Sequence, residues 1–349
     1  MLIYVLMFAL PAFAVFFPYH GTQSLTRLAW WIVGLLFTVL IGFRYQVGGD
    51  WETYLQHYEA AINVPFSEAV VTSDPGYAVL NWLSGLFGTE VYMVNLICGA
   101  IVMLGIIIFS RRQPLPWVAF LVSVPYMIVV VAMGYTRQGV ALGFELLALV
   151  AVFDRQFLRF LLFVLLGGLF HKTAFMLLPF GLLISIRHDR LWLSFLMAGI
   201  GLWIGLMLVI ESYDAMWQNY VAAQMQSDGG PVRVAMNAVP AILLLSFRKK
   251  LMPTDQGERR IWILMSVFSI LCVPLVGLAS TAVDRIALYF MPLQLYVFSR
   301  LHLLFHERLF KTVAVVSVVM LYSFVLWTWL NFATYAFAWL PYQLWPFVE

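Results

Sequence analysis

The chain has 349 residues, of which 63% are hydrophobic and only 11% are charged, and its formal net charge is +3. This composition excludes a soluble globule and indicates an integral membrane protein. The apolar stretches are long and separated by short polar segments, which is typical of membrane-spanning helices and not of an outer-membrane barrel. Cys98 and Cys272 both lie in apolar runs, so they predict neither a disulfide framework nor a metal cluster.

Taken in chain order, the apolar segments predict an all-α polytopic membrane protein with about 12 transmembrane helices. The predicted spans are 2–17, 28–43, 91–109, 116–133, 136–153, 157–170, 174–186, 191–210, 232–247, 261–279, 282–299 and 312–330. Basic residues cluster at alternate ends of these spans, and the positive-inside rule then places both termini outside. We expect a single integral membrane domain over 1–349, with outer loops at 44–90 and 211–231.

Two segments depart from plain membrane crossings. Residues 156–186 lie between two basic flanks but are too few for a hairpin that crosses twice, since each crossing takes about 20 residues. We expect a short re-entrant-like hairpin whose tip, 170–173, lies below the outer headgroups and lines a protein-walled or watery cavity. The stretch 74–88, opened by Asp74-Pro75-Gly76, predicts a short helix that is re-entrant or interfacial.

Five basic residues stand apart from the rest. Of the 20 Lys and Arg, 15 fall on the predicted cytoplasmic side. The other five lie at or just inside the outer ends of apolar segments, where basic residues are scarce. They are Arg44, Arg137, Lys172, Arg233 and Arg285. Together they predict a site for an anion such as a phosphate, and the alternative for any one of them is a side chain that anchors its segment at the interface.

The first outer loop has the densest chemistry of the chain. Gly48 and Gly49 allow a sharp turn and a close approach of the backbone to a ligand, and Asp50 is placed to cap the helix that follows. Trp51, Tyr54, Tyr58 and Ile62 then recur at helical spacing. This stripe predicts an interfacial helix that either anchors the loop or offers flat surfaces to sugars. A metal-binding pair of Asp50 and Glu52 is a weaker alternative, because positions i and i+2 of a helix point apart.

Four short motifs share a characteristic order and spacing. They are Phe43-Arg44-Tyr45 with Gly48-x-Asp50-Trp51-x-x-Tyr54, then Pro75-Gly76-Tyr77 with Leu80-Asn81, then Arg137-Gln138, and Phe170-His171-Lys172-Thr173-Ala174. In this order they resemble the EpsG family of bacterial exopolysaccharide membrane proteins, relatives of the Wzy-type polysaccharide polymerases. The last third of the chain matches only in hydropathy. The resemblance implies polymerisation of glycan units carried on undecaprenyl diphosphate at the outer face of the bacterial cytoplasmic membrane, and it is compatible with a GT-C-like architecture.

The implied reaction gives the outer cations a chemical task. Glycosyl transfer from a lipid diphosphate expels a pyrophosphate group, and cations placed in advance stabilise the charge that develops. The planar fork of arginine can hold phosphate oxygens in pairs. Arg137 also follows Gly134-Tyr135-Thr136 at the start of a helix, where free N–H groups add to anion affinity. We therefore expect a catalytic role for Arg137, and we expect the substrate-binding residues to be Arg44, Tyr45, Trp51, Tyr54, Gln138, Lys172, Arg233, Asp284 and Arg285.

Three acidic or imidazole groups are candidates for proton transfer or for holding a cation. Asp50 is the first candidate for the general base that activates the acceptor hydroxyl, and His171 is the second. Glu145 lies in mid-membrane on nearly the same helical face as Arg137. We expect Glu145 to be the buried partner of a cation, and the alternative is a role in a proton relay. Asp284 predicts an ion pair with the adjacent Arg285.

The hypothesis is a metal-independent glycosyltransferase without a cofactor that polymerises lipid-linked oligosaccharides. Its expected partners are the undecaprenyl-diphosphate-linked glycan, membrane lipids and a chain-length regulator, and no nucleic acid. One alternative is a glycosyltransferase that uses a polyprenyl-phosphate sugar and needs one phosphate site. Another is a glycolipid flippase, although no internal repeat is convincing. The loop 211–231 is predicted either to cover a glycan channel or to form a surface helix. At the C-terminus, an aromatic belt is predicted from Trp327, Trp329, Trp339 and Trp345.

Overall fold

A computed structural model describes residues 1–17, 22–72, 74–184, 199, 229–252, 255–278 and 280–348. Most of them lie in helices. The helices are α1 (Leu2–Phe16), α2 (Gln23–Gly42), α3 (Trp51–Ile62), α4 (Phe66–Thr72), α5 (Pro75–Phe87), α6 (Glu90–Ser110), α7 (Pro116–Ser123), α8 (Thr136–Phe153), α9 (Phe157–Phe170), α10 (Leu178–Ile184), α11 (Gly230–Ser246), α12 (Arg248–Leu251), α13 (Gln256–Leu275), α14 (Ser280–Ala287), α15 (Pro292–Phe298) and α16 (Arg308–Phe332).

Other regular elements are short. A π-helix, Val124–Ala132, continues α7, and 3₁₀ helices occupy Lys172–Leu177, Leu288–Phe290, Leu301–Leu304 and Ala336–Trp339. The strands β1 (Arg44–Tyr45) and β2 (Gln343–Leu344) pair antiparallel, with Arg44 opposite Leu344 and Tyr45 opposite Gln343. This ribbon joins the first outer loop to the C-terminal segment.

The described helices confirm an all-α membrane protein. Within the described ranges, α2, α6, α8 and α16 are long and apolar enough to cross a membrane, and α1, α9, α11 and the segment Pro116–Ala132 are shorter apolar helices. The predicted span 191–210 and most of the predicted loop 211–231 lie outside the described residues. The count of about 12 spans and the GT-C-like architecture therefore stay predictions.

Two predicted helix ends are confirmed and one predicted span is interrupted, while the re-entrant character of the hairpin and of 74–88 stays a prediction. Helix α9 ends at Phe170, at the predicted tip of the short hairpin, and α5 begins at Pro75 after Asp74. At 14 residues, α9 is about 21 Å long, which is less than the hydrocarbon thickness of a bilayer. The predicted continuous helix over 282–299 is instead α14, a 3₁₀ turn and α15. Pro292, at the start of α15, has no N–H and cannot continue the preceding helical ladder.

The chain divides into two compact units. Unit 1 comprises Met1–Leu146, Leu166–His171 and Ser317–Glu349, and unit 2 comprises Leu147–Leu165 and Lys172–Val316. All of the matched motifs except Lys172-Thr173-Ala174 lie in unit 1. The single domain over 1–349 stays a prediction.

Close helix packing in unit 1 is centred on α6. A Cβ at Gly42 of α2 would lie 2.7 Å from the Cα of Leu96, and a Cβ at Gly143 of α8 would lie 2.9 Å from the Cα of Val102. Gly105 in turn faces the backbone of Gly143 too closely for any side chain. Small residues allow helix backbones to approach in this way within a membrane. Helix α6 is thus held between α2 and α8.

Arg44 is buried at the centre of this arrangement, with no exposed surface. Its guanidinium donates to the carbonyl of Ile41 at 2.5 Å from Nη1 and to the carbonyl of Val47 at 3.2 Å from Nε. Nη2 donates to Asn95 Oδ1 at 3.2 Å and to Thr136 Oγ1 at 2.8 Å. One side chain therefore joins the end of α2, the first outer loop, α6 and the beginning of α8.

The C-terminal segment packs into the core of unit 1, so the predicted aromatic belt is wrong for Trp339. This side chain is 1% exposed, and its Nε1 donates to the carbonyl of Val129 in the π-helix at 2.7 Å. Its own carbonyl accepts from the Tyr4 hydroxyl at 2.8 Å. Gly134 faces the indole too closely for a Cβ. The segment after α16 thus completes the core, and does not lie as a whole on the membrane surface.

We expect Arg44→Lys to destabilise the protein severely. An ammonium group is a point charge on a flexible stem and cannot reach four acceptors on four elements at once, so it leaves buried carbonyls unpaired. Breaking a buried charged network of this kind costs about 3–5 kcal/mol. The thermal unfolding midpoint in detergent measures the effect. Arg155→Lys is the matched control, since Arg155 is 68% exposed beside Asp255 and its replacement should change little. An unchanged midpoint for Arg44→Lys would show that Arg44 does not hold the fold.

We expect Trp339→Phe to lower the unfolding midpoint as well. Phenylalanine keeps the apolar bulk but leaves the Val129 carbonyl of the π-helix without its donor, at a cost of about 1–3 kcal/mol. Trp327→Phe serves as the control, because Trp327 is 51% exposed. Equal midpoints for the two variants would contradict the assignment of Trp339 to the core.

Candidate functional site

Arg137 and Asp74 form an ion pair in unit 1. Arg137 Nη1 donates to Asp74 Oδ2 at 2.9 Å, and the two side chains are 29% and 12% exposed. Asp74 precedes α5 but makes no side-chain capping hydrogen bond to it. Its carboxylate thus pairs with a cation from another helix. The pair is accessible to solvent on the arginine side, which leaves Arg137 able to meet a ligand.

Tyr54 links the first outer loop to this pair. Both the backbone and the charge of Arg137 lower the pKa of Tyr54, so its hydroxyl lies near the start of α8. Burial and the Asp50 carboxylate raise the pKa of Tyr54 to about 12, and Arg137 opposes that rise. Asp50 and Arg137 therefore both act electrostatically on one hydroxyl. The predicted capping role of Asp50 is wrong for its side chain, which makes no capping bond to α3.

His57 belongs to the same cluster and was missed from the sequence. Its ring lies edge-on to Tyr77, with the ring centroids 6.3 Å apart, and Tyr77 also contacts Tyr54 at 5.5 Å. Burial, and next the charge of Arg137, lower the pKa of His57. The spacing offered a signal, because His57 lies three residues after Tyr54 on the same helical face. A neutral imidazole near Arg137 is a candidate acid–base group.

The tip of α9 meets the beginning of α5. A Cβ at Gly76 would lie 2.9 Å from the ring of Phe170 and 3.1 Å from Leu169, so only glycine fits between them. His171 follows Phe170 directly and is half-buried. The predicted base His171 thus lies at the end of a helix that touches the segment carrying Asp74.

Tyr77 adds a buried polar group to the cluster. It is 0% exposed, and its hydroxyl has no hydrogen-bond partner among the described residues. Burial raises the pKa of Tyr77 well above its ordinary value, and the charges of Arg44 and Arg137 oppose this. A buried hydroxyl without a partner is costly, so it is a candidate contact for a ligand or an ordered water.

Several predicted substrate-binding residues are structural. Arg44 is fully buried and its guanidinium is engaged with the protein, so its prediction as a phosphate ligand is wrong for this structure. Trp51 and Tyr54 are 6% and 3% exposed, so they do not offer open faces to sugars. The Trp51 ring lies 6.0 Å from the Arg44 guanidinium, which adds a cation–π contact.

The remaining loop predictions have mixed outcomes. Gly48, at φ +112°, approaches the carbonyl of Met133 too closely for a Cβ. The glycine was predicted to approach a ligand, whereas it packs against the backbone of the protein. Tyr45 is half-buried, and its hydroxyl accepts from Gln46 Nε2 at 3.3 Å. Gln138 follows Arg137 in α8 and is 5% exposed, so it does not face open solvent.

Glu145 does not hold a cation in the described part of the chain, and this prediction is wrong. The residue is 1% exposed, and neither carboxylate oxygen has a hydrogen-bond partner among the described residues. The cation that the sequence suggested for it, Arg137, pairs with Asp74. Position on one helix face did not decide the pairing, because Asp74 reaches Arg137 from another element.

Unit 2 carries its own charged pair. Arg233 Nε donates to Asp284 Oδ1 at 2.6 Å and Nη2 donates to Oδ2, so the guanidinium holds the carboxylate bidentately. The two side chains are 12% and 13% exposed. The sequence predicted Arg285 as the partner of Asp284, whereas the structure joins it to Arg233 on α11. One turn along α11, Asn237 donates to the carbonyl of Ala287 at 2.6 Å and fixes α11 to α14.

Lys172 and Arg285 are the exposed cations of unit 2 among the five predicted. The hydroxyl groups of Thr173 and Tyr289 lie 2.7 Å apart, which joins the segment after Lys172 to the segment after Arg285. Arg285 precedes Tyr289 by one helical turn. This contact joins the two segments that carry the exposed cations of unit 2.

One comparison with known proteins identifies a family. A search of curated proteins and a search of solved structures each find no match. The model of the EpsG family matches residues 27–344, nearly the whole chain, and includes the last third that resembled the family only in hydropathy. That match covers both units and every charged group described above. The chain belongs to the EpsG family.

Proposed function

We propose that the protein polymerises oligosaccharide units carried on undecaprenyl diphosphate at the outer face of the bacterial cytoplasmic membrane. Its family points to a polysaccharide polymerase of the glycosyltransferase kind, and its apolar helices to a membrane location. The observation that carries the finer proposal is the Arg137–Asp74 pair, in which a partly exposed guanidinium holds a single carboxylate oxygen.

The carboxylate of Asp74 occupies a place that a phosphate oxygen can take. Among the described residues, Arg137 bonds to Asp74 through Nη1 alone. The other N–H groups of its guanidinium can therefore donate to a second oxygen. An arginine that binds a diphosphate bidentately gains two charge-assisted hydrogen bonds in exchange for one. In the reaction, the acceptor hydroxyl attacks the anomeric carbon of the donor sugar, and the bond from that carbon to the phosphate oxygen breaks. Arg137 would stabilise the charge that builds on the departing lipid diphosphate.

The acceptor hydroxyl must lose its proton in this step. Asp50, His57 and His171 are the candidate bases. His57 has the clearest support, since its lowered pKa keeps the imidazole neutral beside Arg137. The ring of Tyr77, against which the His57 ring lies edge-on, helps to hold the imidazole in place.

The exposed cations of unit 2 favour a reaction with two diphosphate substrates over a reaction with one. Lys172 and Arg285 are exposed in unit 2, on segments joined by the Thr173–Tyr289 contact, and Arg137 is partly exposed in unit 1. A polymerase binds a donor and an acceptor that each carry a lipid diphosphate, whereas a transferase using a polyprenyl-phosphate sugar needs one phosphate site. Tyr45, Gln138, Arg233 and Asp284 stay predicted contacts or supports for these groups.

We expect Arg137→Ala to abolish polymerisation in a folded protein. Loss of a group that stabilises developing charge costs about 10²–10³-fold in rate. Purified protein in liposomes is given a lipid-diphosphate repeat unit, and the ladder of longer glycans is measured. Arg137→Lys should recover only part of the rate, because an ammonium group cannot bind bidentately.

Arg155→Ala is the matched control for this assay. It also removes an arginine from an ion pair with an aspartate, Asp255, but from a more exposed one. An intact ladder in Arg137→Ala would remove Arg137 from the site. Movement of the substrate between leaflets without a ladder, in the unaltered protein, would replace the polymerase by a flippase.

The base is identified by the dependence of the rate on pH. Burial and Arg137 hold the pKa of His57 below its ordinary value of about 6.5. Only the neutral imidazole accepts a proton, so the rate should be retained above that lowered pKa and fall as the pH drops through it. We expect His57→Gln to lower kcat about 10²-fold and to remove this acidic limb. Asp50→Asn and His171→Gln are measured beside it, and loss of the limb in one of these instead would transfer the role to that residue.

A further inference from the structure

An aromatic platform lies beside the first outer loop in unit 1, and the C-terminal segment completes it. Its members are Phe43, Tyr45, Trp51, Tyr92 and Trp345. Phe43 and Tyr45 pack against the buried cluster that contains Trp51 and Tyr92. The Trp345 ring stacks on Tyr92 with the centroids 4.6 Å apart and the planes 20° apart, and on Phe43 at 5.9 Å and 24°.

Trp345 is the open member of the platform. It is 42% exposed, whereas Trp51 and Tyr92 are each 6% exposed. Its backbone is fixed, because its N–H donates to the carbonyl of Phe43 at 2.8 Å directly after the strand pair β1–β2. A large flat ring is thus held in one orientation with part of its surface uncovered, and it loses little conformational freedom when something stacks on it.

Two polar side chains lie on segments that carry other members of the platform. Gln46 and Glu90 are exposed, and Gln46 reaches the Tyr45 hydroxyl. Glu90 opens α6 two residues before Tyr92, and a backbone hydrogen bond from Glu90 meets the Tyr58 hydroxyl. An amide and a carboxylate beside an exposed aromatic ring are the groups that fix the hydroxyls of a ligand whose other face is apolar.

The setting of Trp345 differs from that of an aromatic residue in a membrane belt. Trp327, on α16, is 51% exposed and its ring neighbours are Phe324 and Phe332. Trp345 instead follows a strand, and irregular backbone is not exposed to lipid within the hydrocarbon region. Its exposed surface therefore lies outside the hydrocarbon region.

We propose that Trp345, stacked on Tyr92 and Phe43, is a stacking subsite for a pyranose ring of the growing glycan, with the exposed Gln46 and Glu90 on the adjoining segments. The choice of ligand rests on the proposed function. The axial C–H groups of a pyranose carry partial positive charge and match the negative face of an indole ring. The subsite holds the glycan, and the chemistry belongs to the Arg137 cluster.

The test uses oligosaccharides of two to four repeats cut from the polymer that the host of this chain makes, labelled with a fluorophore at one end. Binding to the full-length protein in lipid nanodiscs is followed by fluorescence anisotropy. We expect Trp345→Leu to weaken binding about five- to tenfold and Trp345→Phe to weaken it less than threefold, since phenylalanine keeps an aromatic face. Trp327→Leu, the matched exposed tryptophan, should bind like the unaltered protein. Unfolding midpoints confirm that the variants are folded.

A second measurement locates the sugar. In protein labelled with 5-fluorotryptophan, the Trp345 resonance is assigned with Trp345→Phe, and it should shift saturably with the oligosaccharide while the Trp327 resonance does not. The Arg137→Ala protein should show the same shift, because binding does not need catalysis. A Trp345 resonance that responds to a change of lipid but not to the oligosaccharide would overturn the subsite in favour of an interfacial anchor. If longer glycans form but the Trp345 resonance does not shift, the subsite alone is overturned. If no longer glycans form, the result counts against the proposed function.

Discussion

The buried guanidinium of Arg44 is the interaction on which the outer part of unit 1 depends. It satisfies carbonyls at the end of α2 and in the first outer loop, and it reaches side chains on α6 and at the start of α8. A charge in this position is tolerable only because four acceptors surround it. The same four contacts determine where the loop leaves α2 and where α8 begins. Everything that follows Arg44 in the loop is therefore positioned relative to Arg137.

The C-terminal segment closes the arrangement from the other side. Trp339 supplies a donor to the π-helix, and its neighbours pair with the strand that contains Arg44. A π-helix leaves carbonyl groups poorly placed for regular bonding, so an inserted indole N–H stabilises it. The result is a loop held between two buried side chains, Arg44 and Trp339, more than 290 residues apart in the chain. Such a loop can support a site whose charged groups must keep fixed positions.

The charges of the site divide into those that hold the fold and those that remain accessible. Arg44 is fully buried and hydrogen-bonded within the protein, and Arg233 is held bidentately by Asp284. Arg137, Lys172 and Arg285 retain exposed surface. Of the five basic residues singled out from the sequence, two are thus structural and three retain exposed surface. The accessible ones are the groups whose charge a phosphate could neutralise without unfolding the surroundings.

The sequence by itself determined the membrane class, most helix boundaries in the described part of the chain, and the family, because these follow from local hydropathy and from short motifs. It also pointed to Arg137 and to the loop that carries Asp50. It could not show that Asp74 rather than Glu145 pairs with Arg137, that His57 packs against Tyr77, or that Trp339 is buried while Trp345 is partly exposed. Those outcomes depend on contacts between residues tens to hundreds of positions apart. Only the tertiary structure decided them, since burial and the choice of partner are set by which elements pack together and not by the spacing along any one helix.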